Sequence, residues 1–446
     1  MARIKRPNVN RNKQNYKSIS DKLRVKLAHK NGEKKICLTM IVKNESANMV
    51  RLFESLKSTI DMISIVDTGS TDNTVDVIKS WGTENKIPTT VHHEEFKNFA
   101  YNRTHSVTSA KRSYPDADYF LLSDADFEWE IDVHHKFDKV LLTEDKYLVN
   151  QYNKSLKYFN IRLLSSKLDW ECVGRTHEYW RDIGSGREIR SARLTTLVIN
   201  DHEDGGCKEN KFSRDEKLLR EGLADPDEEK GLKTRYKFYL GQTLSDVGRL
   251  EESTEWYQKR IDDGGWAEEV YYSHYKIGSN QELVAWRKVE LHRIGSKQAN
   301  DEKLTTQEET FLKDHSEYSH LTLNQLQEGS DSDFKMAEKY HRDGYAMKKN
   351  RAESLYFLAK MFRLRKMYQE CYDVCQIGKK IPYPENDNLF IQHAVYSYKF
   401  DFELCIVCYY LKKMDEGQEA CKKIILMDDI PDYIMGPVKH NAKLYL

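Results

Sequence analysis

The sequence predicts an α/β domain built on a Rossmann-like mixed sheet, followed by an all-α domain of helical repeats. Three observations support this prediction. Short apolar runs alternate with amphipathic stretches over residues 36–207, helical periodicity without strand signals continues over 208–446, and the length of 446 residues exceeds the usual size of one domain. We also expect a flexible basic arm at residues 1–35 and a polar insert or long loop at about 297–333.

The overall charge argues against a globally basic nucleic-acid binder and against a strongly acidic tail protein, because Lys plus Arg and Asp plus Glu both number 71. The basic arm is the exception, since it holds 12 Lys or Arg against only Asp21 and Glu33. We expect this arm to be a solvated tail, or else to make weak contact with an anionic lipid surface or a polyanion. No specific nucleic-acid partner is expected.

No apolar run approaches the roughly 18 residues that cross a bilayer, and the N-terminus lacks the apolar core of a signal peptide. A soluble, cytoplasmic protein is therefore the expectation. The eight cysteines are scattered, which predicts reduced thiols. Cys405 and Cys408 are spaced as CxxC, but no partner pair follows at zinc-finger spacing, so we expect them to pack in a buried helix.

The first half of the sequence alternates predicted strands and helices. ICLTMIV at 36–42 is a continuous apolar run, typical of a buried strand, and MVRLFESLKSTI after it has apolar residues three and four apart, as in a helix. A second strand, MISIVD, ends at Asp67 and precedes the helical VDVIKSW. Further strands are predicted near 89–92, at YFLL before Asp124, and at RLTTLVIN. In such a sheet the carboxyl ends of the strands carry the functional residues.

The second half repeats one pattern of small and large residues, at 239–257, 356–382 and 407–425. The pattern matches the packing positions of tetratricopeptide repeats, which are helix pairs that bury a face only by stacking on their neighbours. The matching residues are Leu240, Gly241, Ser253 and Tyr257 in the first copy, Leu358, Ala359, Cys371 and Cys375 in the second, and Val407, Cys408, Ala420 and Ile424 in the third. We expect a helical array, through which a homodimer could form.

LLSDAD at 121–126 ends a predicted strand with two carboxylates at a one-residue spacing. On an extended turn residues i and i+2 point the same way, so Asp124 and Asp126 can reach toward one ion and the ribose beside it. Carboxylate oxygens suit Mg²⁺ or Mn²⁺. Such a pair also occurs on solvated surfaces, but the apolar strand in front of it argues against that interpretation.

VDTGSTDNT at 66–74 combines a strand end, a glycine and a helix start that Ser70, Thr71 or Asp72 can cap. Strand ends of one sheet converge, so this segment, LLSDAD and the IVKNES that closes the first strand are expected to line one cleft. A nucleotide fits such a cleft, because acidic residues accept hydrogen bonds from a base or ribose and a metal neutralises a diphosphate.

Residues 36 to about 205 resemble the family 2 glycosyltransferases with the GT-A fold. The resemblance rests on MIVKNE, VDTGSTDNT, FKNFAYNR and DAD, in that order and spacing. The helical part resembles the repeat region that follows such domains, in HEDGGCKENKFSRDEKLL and GGWAEEVYYSHYKIG. The resemblance implies transfer of a sugar, with inversion, from a nucleotide-diphosphate donor, and a UDP-sugar before others. The implied acceptor is a nucleophile such as a hydroxyl on a glycan or protein.

The resemblance also assigns residues to the donor and its metal. Those assigned to the nucleotide are Val42 and Glu45 beside the base, Asp67 on base or ribose, Asp72 supporting that loop, Arg103 near the nucleotide, and Asp124 toward the ribose. Arg175 is expected at the diphosphate, since a guanidinium can bond two phosphate oxygens at once. Asp124 and Asp126 are expected to hold Mn²⁺ or Mg²⁺, with Asp126 as the direct ligand.

An inverting transferase needs a general base to deprotonate the acceptor, typically a carboxylate. ECVGRTHEYW at 171–180 matches the family's glycine-then-HE segment. Glu178 is the first candidate for the base and His177 the second. Asp169 or Glu171 could serve if the loop is turned differently.

His202 follows the last predicted strand and could be a further metal ligand or a hinge residue at the domain junction. The sequence departs from the family at one point, because most members read LDADE where this chain reads SDADFE. Phe127 therefore separates Glu128 from the aspartate pair.

Two other functions remain open. The chain could be an interaction scaffold whose sheet domain binds nucleotide without turnover, or a nucleotidyltransferase on a related sheet. The four residues Arg103, Asp124, Asp126 and Glu178 favour the transferase, because a scaffold would be expected to lose one of them. A nucleotidyltransferase usually has a glycine-rich, basic loop after the first strand, and IVKNES is neither.

Overall fold

The computed structural model describes residues 33–131, 137–153, 156–205, 211–428 and 430–445. The basic arm up to residue 32 and Cys207 lie outside the described residues, so the expectations for them stay predictions. The chain divides into two compact units, of which one ends at Arg214 and the other begins at Asp215. Each unit is described by itself.

The first unit alternates strands and helices before it becomes mostly β-structure. Its elements are β1 (Ile36–Val42), α1 (Ser46–Leu56), β2 (Met62–Asp67), α2 (Thr74–Glu84), β3 (Thr89–His93), α3 (Phe99–Ser113), β4 (Tyr119–Leu122), β5 (Phe127–Ile131), a 3-10 turn (Lys139–Leu141), β6 (Lys146–Asn153), β7 (Leu156–Ser165), β8 (Trp170–Val173), β9 (Tyr179–Asp182) and β10 (Ser191–Asp201).

Eight of these strands form one mixed sheet in the order β3-β2-β1-β4-β7-β6-β10-β5. β3, β2, β1 and β4 run parallel, so their carboxyl ends lie at one edge, where Val42 pairs with Asp67 and Asp67 with His93. β7 runs antiparallel to β4 and β6, and β6 runs parallel to β10. β8 and β9 form a separate antiparallel hairpin. The predicted mixed α/β sheet is confirmed.

The central strands are buried on both faces, which explains their continuous apolar sequence. Every residue of β2 and β4 is buried. α1 covers one face with Met49, Leu52, Phe53 and Leu56, which are fully buried against the same core. This packing fixes the strand ends from which the polar loops emerge.

In its described residues the second unit consists of helices joined by turns and loops, without a strand. Its elements, with the helix that spans the unit boundary, are α4 (Lys211–Ala224), α5 (Lys230–Asp246), α6 (Leu250–Asp263), α7 (Ala267–Ala299), α8 (Thr306–Asp314), a 3-10 turn (Ser316–Tyr318), α9 (Leu323–Met347), α10 (Glu353–Leu364), α11 (Tyr368–Gly378), a π-helical turn (Val395–Lys399), α12 (Phe400–Tyr410), α13 (Met414–Ile425), α14 (Asp432–Ala442) and a 3-10 turn (Lys443–Tyr445).

The three sequence repeats coincide with three helix pairs, α5–α6, α10–α11 and α12–α13. A similar short turn joins each pair, and its middle residue has a positive φ of 81° at Gly248, 61° at Lys366 and 58° at Lys412. In each turn the next backbone N–H bonds a carbonyl five residues back, at 2.9 Å. The repeat pattern in the sequence thus corresponds to a repeated local structure.

The polar segment at about 297–333 is mostly helical, so the long-loop prediction is wrong for it. Two of its helices begin at capping boxes, Thr305 with Glu308 and Thr322 with Gln325, in which side chain and backbone bond each other reciprocally. α9 packs along α7. Capping and packing together stabilise helices that have few apolar residues.

The described residues include most of the cysteines and all of the helices named above. Seven cysteines lie within the described residues, and all are buried and free of disulfide bonds. Cys405 and Cys408 both lie in the apolar core of the helical unit, as predicted. Among the helices that the structure describes, none combines the length and apolar character that a membrane span requires.

His341 on α9 provides a pH test of the helical unit. Its ring is fully buried, and neither ring nitrogen has a hydrogen-bond partner among the described residues. Burial lowers the pKa of His341 to about 3, whereas an unfolded histidine has a pKa of about 6.5. As pH falls below 6.5, His341 therefore becomes protonated in the unfolded state but stays neutral in the folded state. The free energy of unfolding falls as a result. We expect a loss of about 2 kcal/mol between pH 7 and pH 5 from this residue.

The measurement is urea unfolding of the helical unit at both pH values, followed by circular dichroism. His341→Leu should lose this part of the pH dependence. His320→Leu is the matched control, because His320 is exposed and its replacement should leave the pH dependence as in the parent. Equal pH dependence in the parent and in His341→Leu would contradict the prediction.

Candidate active site

The loop after β2 folds around Asp67. The Asp67 side chain is buried and accepts hydrogen bonds from the backbone N–H groups of Gly69 (3.2 Å) and Ser70 (3.1 Å). Gly69 has a backbone φ of +102°, which residues other than glycine rarely adopt. His93 Nδ1 lies 3.4 Å from the same carboxylate. Asp67 is therefore fixed at the strand edge by its own loop.

Asp72 ties this loop to the start of α1. Its carboxylate accepts from Thr74 N (3.0 Å) and from Ser46 N (3.2 Å). Burial would raise the pKa of Asp72, but its hydrogen bonds outweigh burial and lower the pKa to about 2. Thr74 Oγ1 also accepts from Glu45 N at 2.8 Å. Val42 contributes its carbonyl, which accepts from Thr68 N (2.9 Å), while its side chain lies in the apolar core.

Asp124, just beyond β4, lies between two arginines. Its Oδ1 accepts from Arg103 Nη2 at 2.7 Å, and its Oδ2 from Arg162 Nη1 at 3.2 Å. Burial would raise the pKa of Asp124, but the two guanidiniums lower it to about 2. Asp124 is thus ionised and its charge is compensated.

Arg103 on α3 also connects the strand edge to the β8–β9 hairpin. Its Nε lies 2.6 Å from Glu178 Oε1, so the two side chains form an ion pair. The Nε–H group does not point at this oxygen well enough to form a hydrogen bond. Both side chains are mostly buried, with 17% of each exposed. The structure therefore brings together three of the predicted residues, Arg103, Asp124 and Glu178.

The other candidates in the hairpin differ in position. Asp169 pairs with Lys111 at 2.7 Å, and Glu171 pairs with Arg181 at 2.8 Å. Within the described ranges, Arg103 forms its ion pairs with Asp124 and Glu178 and with neither of these carboxylates. His177 adopts a positive φ of 52° beside Glu178. The carbonyl of Arg175 accepts from Phe99 N at 3.2 Å, which anchors the hairpin loop to α3. Glu178 therefore pairs with Arg103 of the site, whereas Asp169 and Glu171 pair with other cations.

Three functional candidates were missed from the sequence. Arg162 on β7 is buried, bonds Asp124, and donates through Nη2 to Gln151 Oε1 at 2.8 Å. Gln151 on β6 in turn donates to Asp201 Oδ2 on β10 at 3.0 Å. An arginine inside the apolar stretch FNIRLLS was the available signal for Arg162. These side chains extend the charge network across three further strands.

Asp126 differs from Asp124, because no Lys, Arg or His among the described residues forms an ion pair with it. Burial raises the pKa of Asp126, and the charges of Asp124 and Asp201 raise it further, to about 6. A Cβ built on Gly205 would lie 3.3 Å from both Asp126 Oδ2 and Glu45 Oε1, so these two carboxylates face the same glycine. The excess negative charge of the site is concentrated here.

His202 follows β10 and its backbone N–H donates to the carbonyl of Asp126 at 3.1 Å. Its Nε2 lies 2.7 Å from Glu128 Oε2. A carboxylate that holds one ring nitrogen of a histidine orients the other toward a metal in many metal sites. Glu128, which Phe127 separates from Asp126 in the sequence, thus contacts His202, the predicted further metal ligand.

The residues present fit a divalent cation in one respect. Asp126 supplies hard oxygen ligands and uncompensated charge, and Mg²⁺ is usually held by one or two carboxylates together with substrate phosphates. Within the described ranges, no group of three or more His, Cys, Asp or Glu side chains is arranged to hold a metal by itself. The site fits an ion that is completed by the substrate.

Residues 37–199 match the model of the family described as Glycosyl transferase family 2. A curated relative, "Uncharacterized glycosyltransferase RP128" of Rickettsia prowazekii (strain Madrid E), is 29% identical over 127 residues, which are 28% of this chain and 40% of that protein. The chain therefore spans less than half of the length of that relative.

Two solved structures are similar in part. One is S. aureus TarS 1-349 in complex with UDP, at 13% identity, covering 70% of this chain and 92% of that chain with a TM-score of 0.26. The other is the TPR2AB-domain:pHSP90-complex of yeast Sti1, at 10% identity, covering 53% and 93% with a TM-score of 0.21. TM-scores this low do not establish a common fold.

The family match covers the sheet and all of its strand-edge loops up to Ile199. The motif order and the mixed sheet agree with it. Residues 37–199 are therefore a domain of glycosyl transferase family 2, built on a mixed α/β sheet.

Proposed function

We propose that the protein is a metal-dependent glycosyltransferase that moves a sugar from a nucleoside-diphosphate donor to an acceptor hydroxyl with inversion. The observation that carries the proposal is the arrangement at the strand edge. Asp124 is neutralised by two arginines, whereas Asp126 beside it keeps an uncompensated charge. A cation bound at Asp126 would meet that charge and would stabilise the leaving diphosphate as a Lewis acid.

The donor site is proposed along the loops of β1 and β2. Asp67 and Asp72 build the rigid loop, and Glu45 lies at its side, so base and ribose would lie over this loop. Asp124, fixed by Arg103 and Arg162, would face the ribose. A UDP-sugar is the first donor to test, because the motifs resemble those of family members that use uridine. Arg175 is proposed at the diphosphate.

The metal is proposed to bind Asp126, with Asp124 and His202 as further ligands. Each carboxylate oxygen carries two lone pairs, so Asp124 can contact a cation while it accepts from the arginines. Glu128 holds Nε2 of His202 at 2.7 Å, which leaves Nδ1 as the ligand atom. Mn²⁺ and Mg²⁺ both suit this oxygen-rich set.

Glu178 is proposed as the general base, with His177 as the second candidate. The base takes the acceptor proton while the acceptor oxygen attacks the anomeric carbon, and the bond from that carbon to the diphosphate breaks with its electron pair on the phosphate. Arg103 holds Glu178 in this structure. A guanidinium that turns to the diphosphate would release Glu178 for this role.

The acceptor is proposed to be a hydroxyl of a glycan or protein, and the helical unit is proposed to bind it or to form a homodimer. The alternative is a scaffold that binds nucleotide without turnover. Its supporting observation is the pairing of Glu178 with Arg103, which occupies the proposed base.

The decisive measurement is release of nucleoside diphosphate from a panel of UDP-, GDP- and TDP-sugars, with Mn²⁺ and with a chelator. We expect release from at least one donor, and no release once the metal is removed. Tight nucleotide binding without release from any donor would instead support the scaffold. Release that the chelator leaves unchanged would contradict the metal dependence.

A further inference from the structure

An open cavity of about 560 Å³ lies at the far end of the sheet from Asp124 and Asp126. Lys146, at its wall, pairs with Leu164 on β7, and Leu164 pairs with Phe120 near the start of β4, so the cavity lies at the amino end of that strand. Gln151 of the candidate active site is five positions after Lys146 on the same strand, which places them roughly 17 Å apart along β6. The two sites are distinct.

The cavity has aromatic walls. Trp170 at the start of β8 is buried, and its Nε1 donates to the carbonyl of Ser165 at 2.8 Å, which fixes the ring. Trp180 on β9 is half-buried, and it packs together with Ile189 against the small apolar core that contains Trp170. Both indoles line the cavity. Trp180 presents the more accessible of the two indoles, and the C–H groups of a sugar ring can stack on such an aromatic face.

The cavity also contains a cation without an acidic partner. Arg187 is held by Asp145 through two bonds of 2.6 and 2.8 Å, and Arg181 is held by Glu171. In contrast, no carboxylate among the described residues pairs with the half-buried Lys146. Burial lowers the pKa of Lys146, and nothing described offsets it. A bound anion would supply the missing charge.

Asp182 and the loop after it complete the cavity. Its Oδ2 accepts from Ser185 N at 3.1 Å, whereas its Oδ1 is buried and accepts from no described donor. Buried acceptors are normally satisfied, so a hydroxyl donor is expected here. Gly184 and Gly186 line the rim, and a Cβ on Gly184 or Gly186 would meet no atom within 4 Å. The mouth is therefore open.

We propose that this cavity is a second saccharide site, which binds a sugar carrying a carboxylate or a phosphate group. The ring would stack on Trp180, the anionic group would meet Lys146, and a sugar hydroxyl would donate to Asp182. The volume lies in the range of small-ligand sites, and the wall combines the two indoles and Ile189 with charged side chains that can orient a polar ligand. The site binds and breaks no bond, so it does not depend on the proposed transferase activity.

Calorimetric titration of the full chain with glucose, glucuronate and glucose 6-phosphate tests the proposal. At least one charged sugar should bind about tenfold more tightly than glucose. The stronger of the two identifies the anionic group as a carboxylate or a phosphate. Lys146→Met should reduce its affinity to that of glucose, and Trp180→Ala should abolish binding of all three. Lys79→Met is the matched control, because Lys79 is exposed on α2 outside the cavity.

Three outcomes would overturn the proposal: no measurable binding, equal affinity for glucose and both charged sugars, or an equal loss in Lys79→Met and Lys146→Met. Asp126→Asn should leave these affinities unchanged, while Lys146→Met should leave the affinity for nucleoside diphosphate unchanged. Failure of this site and failure of the proposed transferase activity therefore show in different measurements.

Discussion

Asp126→Asn is expected to reduce donor turnover by about a thousandfold or more, because it removes the charged ligand of the proposed cation. The same change should leave the thermal midpoint equal or slightly higher. Burial raises the pKa of Asp126, and the neighbouring carboxylates raise it further, to about 6. A neutral amide relieves the repulsion at nearly constant volume. Steady-state release of nucleoside diphosphate, titration with Mn²⁺ and a thermal melt measure the three quantities.

Asp124→Asn separates this prediction from a general loss of structure. Asp124 accepts from Arg103 and Arg162, so its replacement leaves two largely buried guanidiniums without their shared carboxylate, and the thermal midpoint should fall. Asp76→Asn is the matched control, since Asp76 is exposed on α2 and should keep full turnover. Turnover within tenfold of the parent in Asp126→Asn would rule out the proposed ligand.

The strand edge was predictable because its signals are local. Apolar runs such as ICLTMIV and MISIVD have the length and continuity of buried strands, and each is followed directly by its polar loop. Parallel strands then bring the loops of β1, β2 and β4 together without any further information. Asp67 and Asp124 could therefore be placed from sequence alone.

The partners of Asp124 on the other strands were not predictable in the same way. Arg162 follows Asp124 by 38 residues and Gln151 precedes Asp201 by 50, and these contacts exist only because β7, β6 and β10 lie next to each other in the sheet. No local pattern encodes that order. The helices near 305 and 322 are the opposite case, because their T-x-x-E and T-x-x-Q capping boxes are readable in the sequence.

Arg351→Met is expected to destabilise the helical unit by about 3–5 kcal/mol, because it breaks a buried ion pair by removing one partner. Arg351 and Glu353 are both 0% exposed. Arg351 donates through Nε and Nη2 to the two Glu353 oxygens, at 2.9 and 3.0 Å. Arg351 Nη2 also donates to the carbonyl of Leu389 at 3.2 Å. Without the guanidinium, Glu353 keeps a buried charge.

Glu353 also joins three parts of the unit. It accepts from Tyr271 Oη on α7 at 3.2 Å, from Tyr396 Oη at 2.8 Å, and from Gln392 N at 3.1 Å. These neutral donors can stay in place in Arg351→Met, so the variant should unfold cooperatively but at lower urea. The free energy of urea unfolding, followed by circular dichroism, measures the loss. Arg342→Met is the matched control, because its pair with Glu338 is exposed by 54% and 33% and contributes about 0.5 kcal/mol or less.

Adding Glu353→Gln to Arg351→Met distinguishes a buried charge from lost packing. The amide of glutamine removes the uncompensated charge, and it can still accept from Tyr271 and Tyr396. If the charge dominates, the double variant should be more stable than Arg351→Met, although it carries one more substitution. The contrary result is a double variant whose loss of unfolding free energy, relative to the parent, equals the sum of the losses in Arg351→Met and in Glu353→Gln. The guanidinium would then act mainly by filling space between α7 and α10. The ion pair would then contribute little beyond its volume.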